Sequence, residues 1–239
     1  FTPQFVKDAG AKGFMNKGKW SPYSDDSVFQ KYYTKFVKAL AKDFNDPSKV
    51  EFIDGFGLGK WGEYHTMIYS TGDDTPKKAV FDWVTDIYSQ AFDKVPVVIN
   101  YHRWIGAGKD WVDDEHFAAD SEEMLEEAIK KGYSLRHDAF GMTTYYGSWE
   151  RRFAKKYRNI CPIIMEGGWI VKSHSYWQDP RGYRKDSHED VRRGEFDDSK
   201  EAHVNMMDFR FGDTEFWFKD AFDLVRRFLR EGGYRLYPS

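Results

Sequence analysis

Cysteine is nearly missing from this sequence: Cys161 stands alone among 239 residues. An internal disulfide framework and a cysteine-based zinc site are thereby excluded, and the count fits a cytoplasm and a bacterial periplasm equally well. No apolar run approaches the roughly 18 to 20 residues that a membrane-spanning helix needs, so no membrane span is expected. Neither sign of charge dominates. The 36 Lys and Arg against 39 Asp and Glu leave a formal net charge of −3, which gives no global pull toward nucleic acid or an anionic membrane. Low-complexity tracts and short internal repeats are lacking, as are a signal peptide and an initiator Met. The chain opens at Phe1 in what reads as a loop, so an upstream portion is expected.

Aromatic residues, by contrast, are abundant. Twenty Phe, fifteen Tyr and nine Trp make 18% of the chain, roughly double an average globular composition. A core accounts for most of the Phe. Many Trp and Tyr instead sit beside Gly, His and Asp, where flat amphipathic rings suit the C–H faces of sugars.

Along the chain, helical and strand patterns alternate. Residues 28–43 carry apolar side chains at Val28, Phe29, Tyr32, Tyr33, Phe36, Val37, Leu40 and Ala41, the spacing of an amphipathic helix. Further helices are predicted over 77–92, 121–131, 148–157, 197–203 and 214–231. Between them lie short apolar runs: 50–56, 96–100, 133–137, 162–166 and 204–211. Five such strands separated by helices predict βαβ units and a parallel sheet. Each run ends in polar or ionisable residues, which favours a (β/α)8 TIM barrel over a doubly wound sheet with one switch point. The chain then supplies roughly strands four to eight of one catalytic barrel domain spanning 1–239, incomplete at its N-terminus. Residues 232–239 read as the start of a linker to a further domain. The missing strands come from an upstream segment or another chain.

Two motifs carry chemistry. In Gly57-Leu58-Gly59-Lys60-Trp61-Gly62-Glu63-Tyr64-His65, three glycines turn the backbone and leave Glu63 at a strand's open end, between Trp61 and His65. In Ile163-Ile164-Met165-Glu166-Gly167-Gly168-Trp169, a glutamate closes an apolar strand. A charge there needs a partner or a purpose. A structural ion pair and a catalytic carboxylate both satisfy that demand. Two carboxylates on one barrel rim suit glycosyl transfer to water, which needs an acid for the leaving oxygen and a nucleophile or base opposite.

The stretch from Phe36 to Lys42, through Val50-Glu51-Phe52-Ile53-Asp54, to Gly59-Lys60-Trp61-Gly62-Glu63-Tyr64-His65 resembles the fourth-strand region of β-galactosidase-like barrel glycosidases. Thr2-Pro3-Gln4-Phe5 likewise looks like the loop after strand three. The resemblance implies a retaining hydrolase with its acid/base after strand four, at Glu63, and its nucleophile on strand seven, at Glu166. It further implies polysaccharide or oligosaccharide degradation, no cofactor, and a secreted or periplasmic location. The sequence departs from the clan at Gly62, where an Asn that bonds the sugar's 2-hydroxyl is usual. That work falls to another group, Asn100 or His65, or the activity is altered.

Position nominates the substrate-binding residues. Asn100 and His102 end the second visible strand; Arg136, His137 and Asp138 end the third; Arg210 ends the fifth. Trp61, Trp104, Trp169, Tyr176 and Trp177 are candidate stacking platforms. The long loop 167–198 carries Arg181, Arg184, Lys185, Arg192 and Arg193, suited to an acidic glycan or simply to solvent. Two other functions compete. A metal-dependent barrel hydrolase or isomerase would use His65, His102, His137, Asp138 and Glu166, although no His-x-His or His-x-x-x-His pair is present. A carbohydrate-binding barrel without catalysis is the third reading.

Overall fold

A computed structural model describes residues 2–109, 115–140, 146–167, 188–208, 214–219 and 222–232. In chain order the elements are α1 (Gln4–Asp8), the strands β1 (Gly13–Asn16) and β2 (Lys19–Pro22), α2 (Ser27–Phe44), β3 (Ile53–Asp54) and α3 (Lys77–Ala91). They continue with β4 (Val97–Asn100), α4 (Glu115–Lys130), β5 (Ser134–Phe140), α5 (Ser148–Tyr157), β6 (Ile163–Gly167), α6 (His188–Glu201), β7 (Met206–Asp208), α7 (Thr214–Lys219) and α8 (Phe222–Glu231). The architecture is mixed α/β, with a five-stranded sheet in the order β3-β4-β5-β6-β7 and helices alternating along the chain. The pairs β3–β4, β5–β6 and β6–β7 are parallel, as predicted from the strand–helix alternation. β1 and β2 form a separate antiparallel hairpin.

The chain divides into two compact units. The first comprises residues 1–99 and 103–133, the second residues 100–102 and 134–239. In the first, Asp26 caps α2 by accepting from the Phe29 N–H at 2.8 Å, and the helix packs on α3. Phe29 and Tyr33 meet the Trp83 ring, and Trp83 Nε1 donates to Thr34 Oγ1. All four residues of β4 are buried, as expected of a strand covered on both faces. Burying each such aliphatic side chain stabilises by about 1.5 to 3 kcal/mol.

Three tyrosine hydroxyls then hold the chain as it leaves β3. Tyr133 donates to Gly55 O at 2.9 Å, Tyr33 to Phe56 O at 3.0 Å, and Tyr88 lies 3.1 Å from Tyr33. Gly57, at φ +67°, lets this segment pass close by: a Cβ there would lie 2.4 Å from the Tyr33 hydroxyl.

In the second unit, α5 buries Trp149, Phe153 and Ala154. The face of α6 that is buried carries Glu195, Phe196, Asp198 and Ser199. A small apolar cluster of Phe196, Leu224 and Val225, with Met207 and Phe228 against it, joins α6 to α8.

Three sequence boundaries are corrected. The helix expected over 197–203 begins at His188, inside the stretch read as a loop. Its buried face is largely polar, so the apolar period that marks a helix is weak there. The stretch before α2, whose start the sequence marked as a loop, carries the short helix α1 and the hairpin of β1 and β2. The stretch 214–231 is described as α7 and α8, with 220–221 outside the described residues. Among the described residues no helix is long and apolar enough to cross a membrane.

Candidate active site

Parity along the strands places the polar groups. In a strand successive side chains alternate faces, and β5 pairs with β6 so that Arg136 is opposite Ile164 and His137 opposite Met165. Residues 136, 164 and 166 therefore share a face. The even-numbered side chains form a connected row. Arg136 Nη2 donates to Glu166 Oε2 at 2.7 Å, and Arg136 Nε to Asp138 Oδ1 at 2.5 Å. Asn100, at the end of β4, donates from Nδ2 to Asp138 Oδ2 at 2.9 Å. On β7, Asp208 is the register partner of Glu166.

The odd-numbered residues go to the other face. Leu135 and Met165 are fully buried, and Ser199 of α6 approaches the Met165 sulfur. His137 lies among Tyr101, Tyr146 and Phe140, its ring centroid 5.0, 4.9 and 5.9 Å from theirs. It stands apart from Arg136 and Asp138, with which the sequence grouped it. Tyr101 donates to Tyr146, and burial, reinforced by Glu150 and Asp198 nearby, pushes the Tyr101 phenol well above its ordinary value.

The pairing of β5 with β6 slips between His137 and Phe140, where three steps on β5 match two on β6 (Met165 to Gly167). This extra residue is a β-bulge, a device that redirects side chains and recurs beside active sites. It falls at Asp138 and Ala139, next to Glu166. Behind Glu166, Gly167 is closely approached by a buried side chain of α6: a Cβ there would meet Glu195 Oε1 at 3.0 Å.

Arg136, Asp138 and Glu166 are 22%, 10% and 19% exposed in their side chains, so the row is open to solvent on one side. Asn100 is nearly closed off, at 7%. Its orientation is fixed by chemistry: the carboxylate of Asp138 only accepts, so the donor end of the amide faces it. The Asn100 carbonyl oxygen is then buried and accepts no hydrogen bond among the described residues. An unsatisfied buried acceptor costs about 1 to 3 kcal/mol and calls for an explanation.

The first unit builds a different site after β3. A single turn of 3-10 helix over Lys60–Gly62 leads into Glu63, and Leu58 bridges to Glu63. Trp61, Tyr64 and Thr66 all have left-handed backbones, with φ of 57°, 60° and 53°. That region is uncommon for any residue with a Cβ and more so for β-branched Thr. Strain of this kind persists only where surrounding contacts impose it, and it concentrates at functional sites. Here the imposing contacts are visible. The Tyr64 ring is buried with its hydroxyl donating to Lys77 O at 2.8 Å, Gly106 N–H donates to Tyr64 O, and Lys60 N–H to His65 O.

The loop so held presents Glu63 and Trp61. Glu63, 23% exposed, lies with Oε2 3.1 Å from His65 Nε2, and the buried His65 has its Nδ1 3.2 Å from Thr66 Oγ1. Trp61 is 71% exposed, edge-on to the His65 ring at 5.8 Å, with Lys60 Nζ over its face at 4.1 Å. Such an arrangement can move a proton at Glu63 while His65 fixes the carboxylate's direction.

No family model, curated protein or solved structure matches the chain. The geometry therefore carries the functional argument by itself. Of the sequence candidates, Asn100, Arg136, Asp138 and Glu166 are brought together in one unit, and Trp61, Glu63 and His65 in the other. His102 is buried at 2%, and Trp104, also 2% exposed, lies under the Arg103 guanidinium and displays no face to solvent. Trp169, Tyr176, Trp177 and Arg210 lie outside the described residues, as do Arg181, Arg184 and Lys185 of the basic loop. Among the described residues no three His, Cys, Asp or Glu side chains converge so as to hold a metal ion. Thr66, Glu195 and the bulge at Asp138 were missed in the sequence. Only a β-branched residue beside a Gly-rich turn hinted at the first.

Proposed function

We propose that the chain is a glycoside hydrolase acting on a poly- or oligosaccharide by a retaining mechanism, with Glu166 as nucleophile and Glu63 as acid/base. The observation that supports this best is the Arg136–Glu166 pair, its glutamate set in the otherwise apolar β6, on the face opposite Met165 and beside a bulge. A nucleophilic carboxylate must be ionised and aimed. Arg136 supplies a cation and a direction for one oxygen of Glu166, and Asp138 with Asn100 holds Arg136 in turn. At Glu63 the partly exposed carboxylate, its buried His65 partner and the displayed Trp61 suit an acid/base next to a sugar-stacking ring.

In this reading the five strands are strands four to eight of a (β/α)8 barrel of the β-galactosidase-like kind. The first strands are contributed by an upstream segment or another chain, and the protein works outside the cytoplasm. In the reaction, Glu166 attacks the anomeric carbon while Glu63 protonates the departing oxygen. Glu63 then takes a proton from the water that releases the sugar.

The test uses the intact protein and a panel of 4-nitrophenyl glycosides. Hydrolysis with retained anomeric configuration is expected for at least one. Glu166→Ala should lose nearly all turnover and regain part of it with azide, giving a glycosyl azide of inverted configuration. A wild-type protein that hydrolyses none of the panel, or a Glu166→Ala variant with undiminished turnover, would sink the assignment.

A further inference from the structure

The Asn100 carboxamide is the most conspicuous unused group in the Glu166 row. Its nitrogen is committed to Asp138, and its oxygen is buried with no donor among the described residues. Closed off from bulk water, that oxygen is not satisfied by solvent as an exposed amide would be. Proteins keep such acceptors where something else donates to them. Adjacent to Asn100 runs the partly exposed series Asp138, Arg136 and Glu166.

We propose that Asn100 is a specificity-determining residue of the Glu166 site, its carbonyl oxygen accepting a hydrogen bond from one hydroxyl of the bound sugar. The inference rests on the carbohydrate reading above but not on its catalytic part. Asp138 is the positioning residue. By accepting from Asn100 Nδ2 while held by Arg136 Nε, it prevents the amide from flipping and keeps an acceptor, not a donor, directed at the ligand. The same Arg136 bridges to Glu166, so the hydroxyl recognised at Asn100 is tied in register to the carboxylate proposed to react. A site built to accept from a hydroxyl discriminates strongly against an analogue lacking it, because binding that analogue leaves the acceptor unsatisfied. A loss of about ten- to a hundredfold in affinity is expected for one missing hydrogen bond of this kind.

The experiment measures binding of galactose, glucose, mannose and xylose to the intact protein by titration calorimetry. For the sugar that binds, the monodeoxy and monodeoxyfluoro analogues at each hydroxyl follow. Fluorine accepts but cannot donate. The hydroxyl facing Asn100 must therefore be lost about equally by deoxygenation and by fluorination, whereas a hydroxyl that only accepts tolerates fluorine better. In Asn100→Ala the parent sugar should bind ten- to a hundredfold more weakly, and the penalty for that deoxy analogue should vanish. Should Asn100→Ala fail to fold, the deoxy-against-fluoro comparison on the wild type decides alone. A sugar with no hydroxyl of the donating type, an unchanged penalty in a folded Asn100→Ala, or the absence of binding by all four sugars overturns the proposal. Asn100-dependent binding without hydrolysis of any aryl glycoside upholds it while the hydrolase reading fails. Hydrolysis with an Asn100-independent hydroxyl profile does the reverse.

Discussion

Arg136 and Glu166 stand on adjacent parallel strands two register positions apart, and Arg136 Nη2 lies 2.7 Å from Glu166 Oε2. The same guanidinium reaches Asp138 through Nε. Two carboxylates thus share one cation, each bound by a different nitrogen. Lys cannot reproduce that geometry, since its single ammonium is a point charge without a fork.

Removal of Arg136 follows directly. Arg136→Met removes the cation that the partly buried Asp138 and Glu166 share, and a loss of about 2 kcal/mol in stability is expected. Arg136→Lys should recover less than half of it. Chemical denaturation of both variants, and of each combined with Glu166→Gln, measures the coupling. An additive cycle would show that the pair contributes nothing.

Much of this arrangement was legible beforehand, for identifiable reasons. Helix α5 falls at 148–157 as its apolar period predicts, and β4 and β6 are continuous apolar runs bounded by turns. The polar strand ends at Asn100, Arg136, Asp138 and Glu166 could be named because an ionisable group closing an apolar strand violates the local pattern. Which of them touch could not be read. The Arg136–Glu166 contact depends on register, and the Asp138 contacts on a bulge. The hairpin of β1 and β2 was missed because its turn, Lys17-Gly18, puts Lys rather than Asn or Asp at the first left-handed position. Helix α6 was cut short because its interior side carries Glu195, Asp198 and Ser199, residues that a hydrophobic pattern assigns to water.

The proposed division of labour between the two carboxylates predicts a dependence on leaving group. In Glu63→Ala, substrates with a poor leaving group should lose about 100- to 10,000-fold in turnover, the usual worth of general acid–base catalysis. Dinitrophenyl glycosides, which leave unprotonated, should be nearly spared in the bond-breaking step. His65→Phe should produce a weaker version of the same selectivity, because it removes the partner that aims Glu63 without removing the acid. Equal losses for all leaving groups in both variants would remove Glu63 from the acid role.

Alkali should unfold the protein through its buried phenols. Burial raises the pKa of Tyr64, Tyr101, Tyr133 and Tyr146 well above the ordinary value of 10.0. The folded chain therefore holds these protons at a pH where the unfolded chain has released them. Below about pH 10 both states are protonated and the stability is fully present. As pH rises past 10 the unfolded state gains by ionising and stability falls. Cys161, whose thiol burial pushes up to about 11, adds a smaller loss from its unfolded value of 9.0 upward. Thermal midpoints should be flat from pH 7 to 9 and drop above 10. Tyrosinate absorbance from these residues should rise in one cooperative step with unfolding. A gradual rise in the folded protein would mean that the phenols are solvated.

The last prediction concerns the strained loop. Thr66 holds φ +53°, a conformation that a β-branched residue adopts at a cost of order 1 to 3 kcal/mol. Its hydroxyl lies 3.2 Å from His65 Nδ1, whose other nitrogen meets Glu63. Asn tolerates the left-handed region better than Thr, so Thr66→Asn should leave stability unchanged or raise it by up to about 1 kcal/mol. Its amide still offers a group to His65, and activity should largely survive. Thr66→Gly relieves the same strain but removes the His65 contact, so stability should change little while turnover falls. Thr66→Val keeps the shape and the strain and loses only the hydroxyl, so any fall in turnover there reports the contact itself. Denaturation midpoints and kcat on the three variants separate the two effects. Should Thr66→Gly and Thr66→Val both retain full turnover, the chain from Thr66 through His65 to Glu63 has no part in catalysis, and the left-handed backbone serves packing alone.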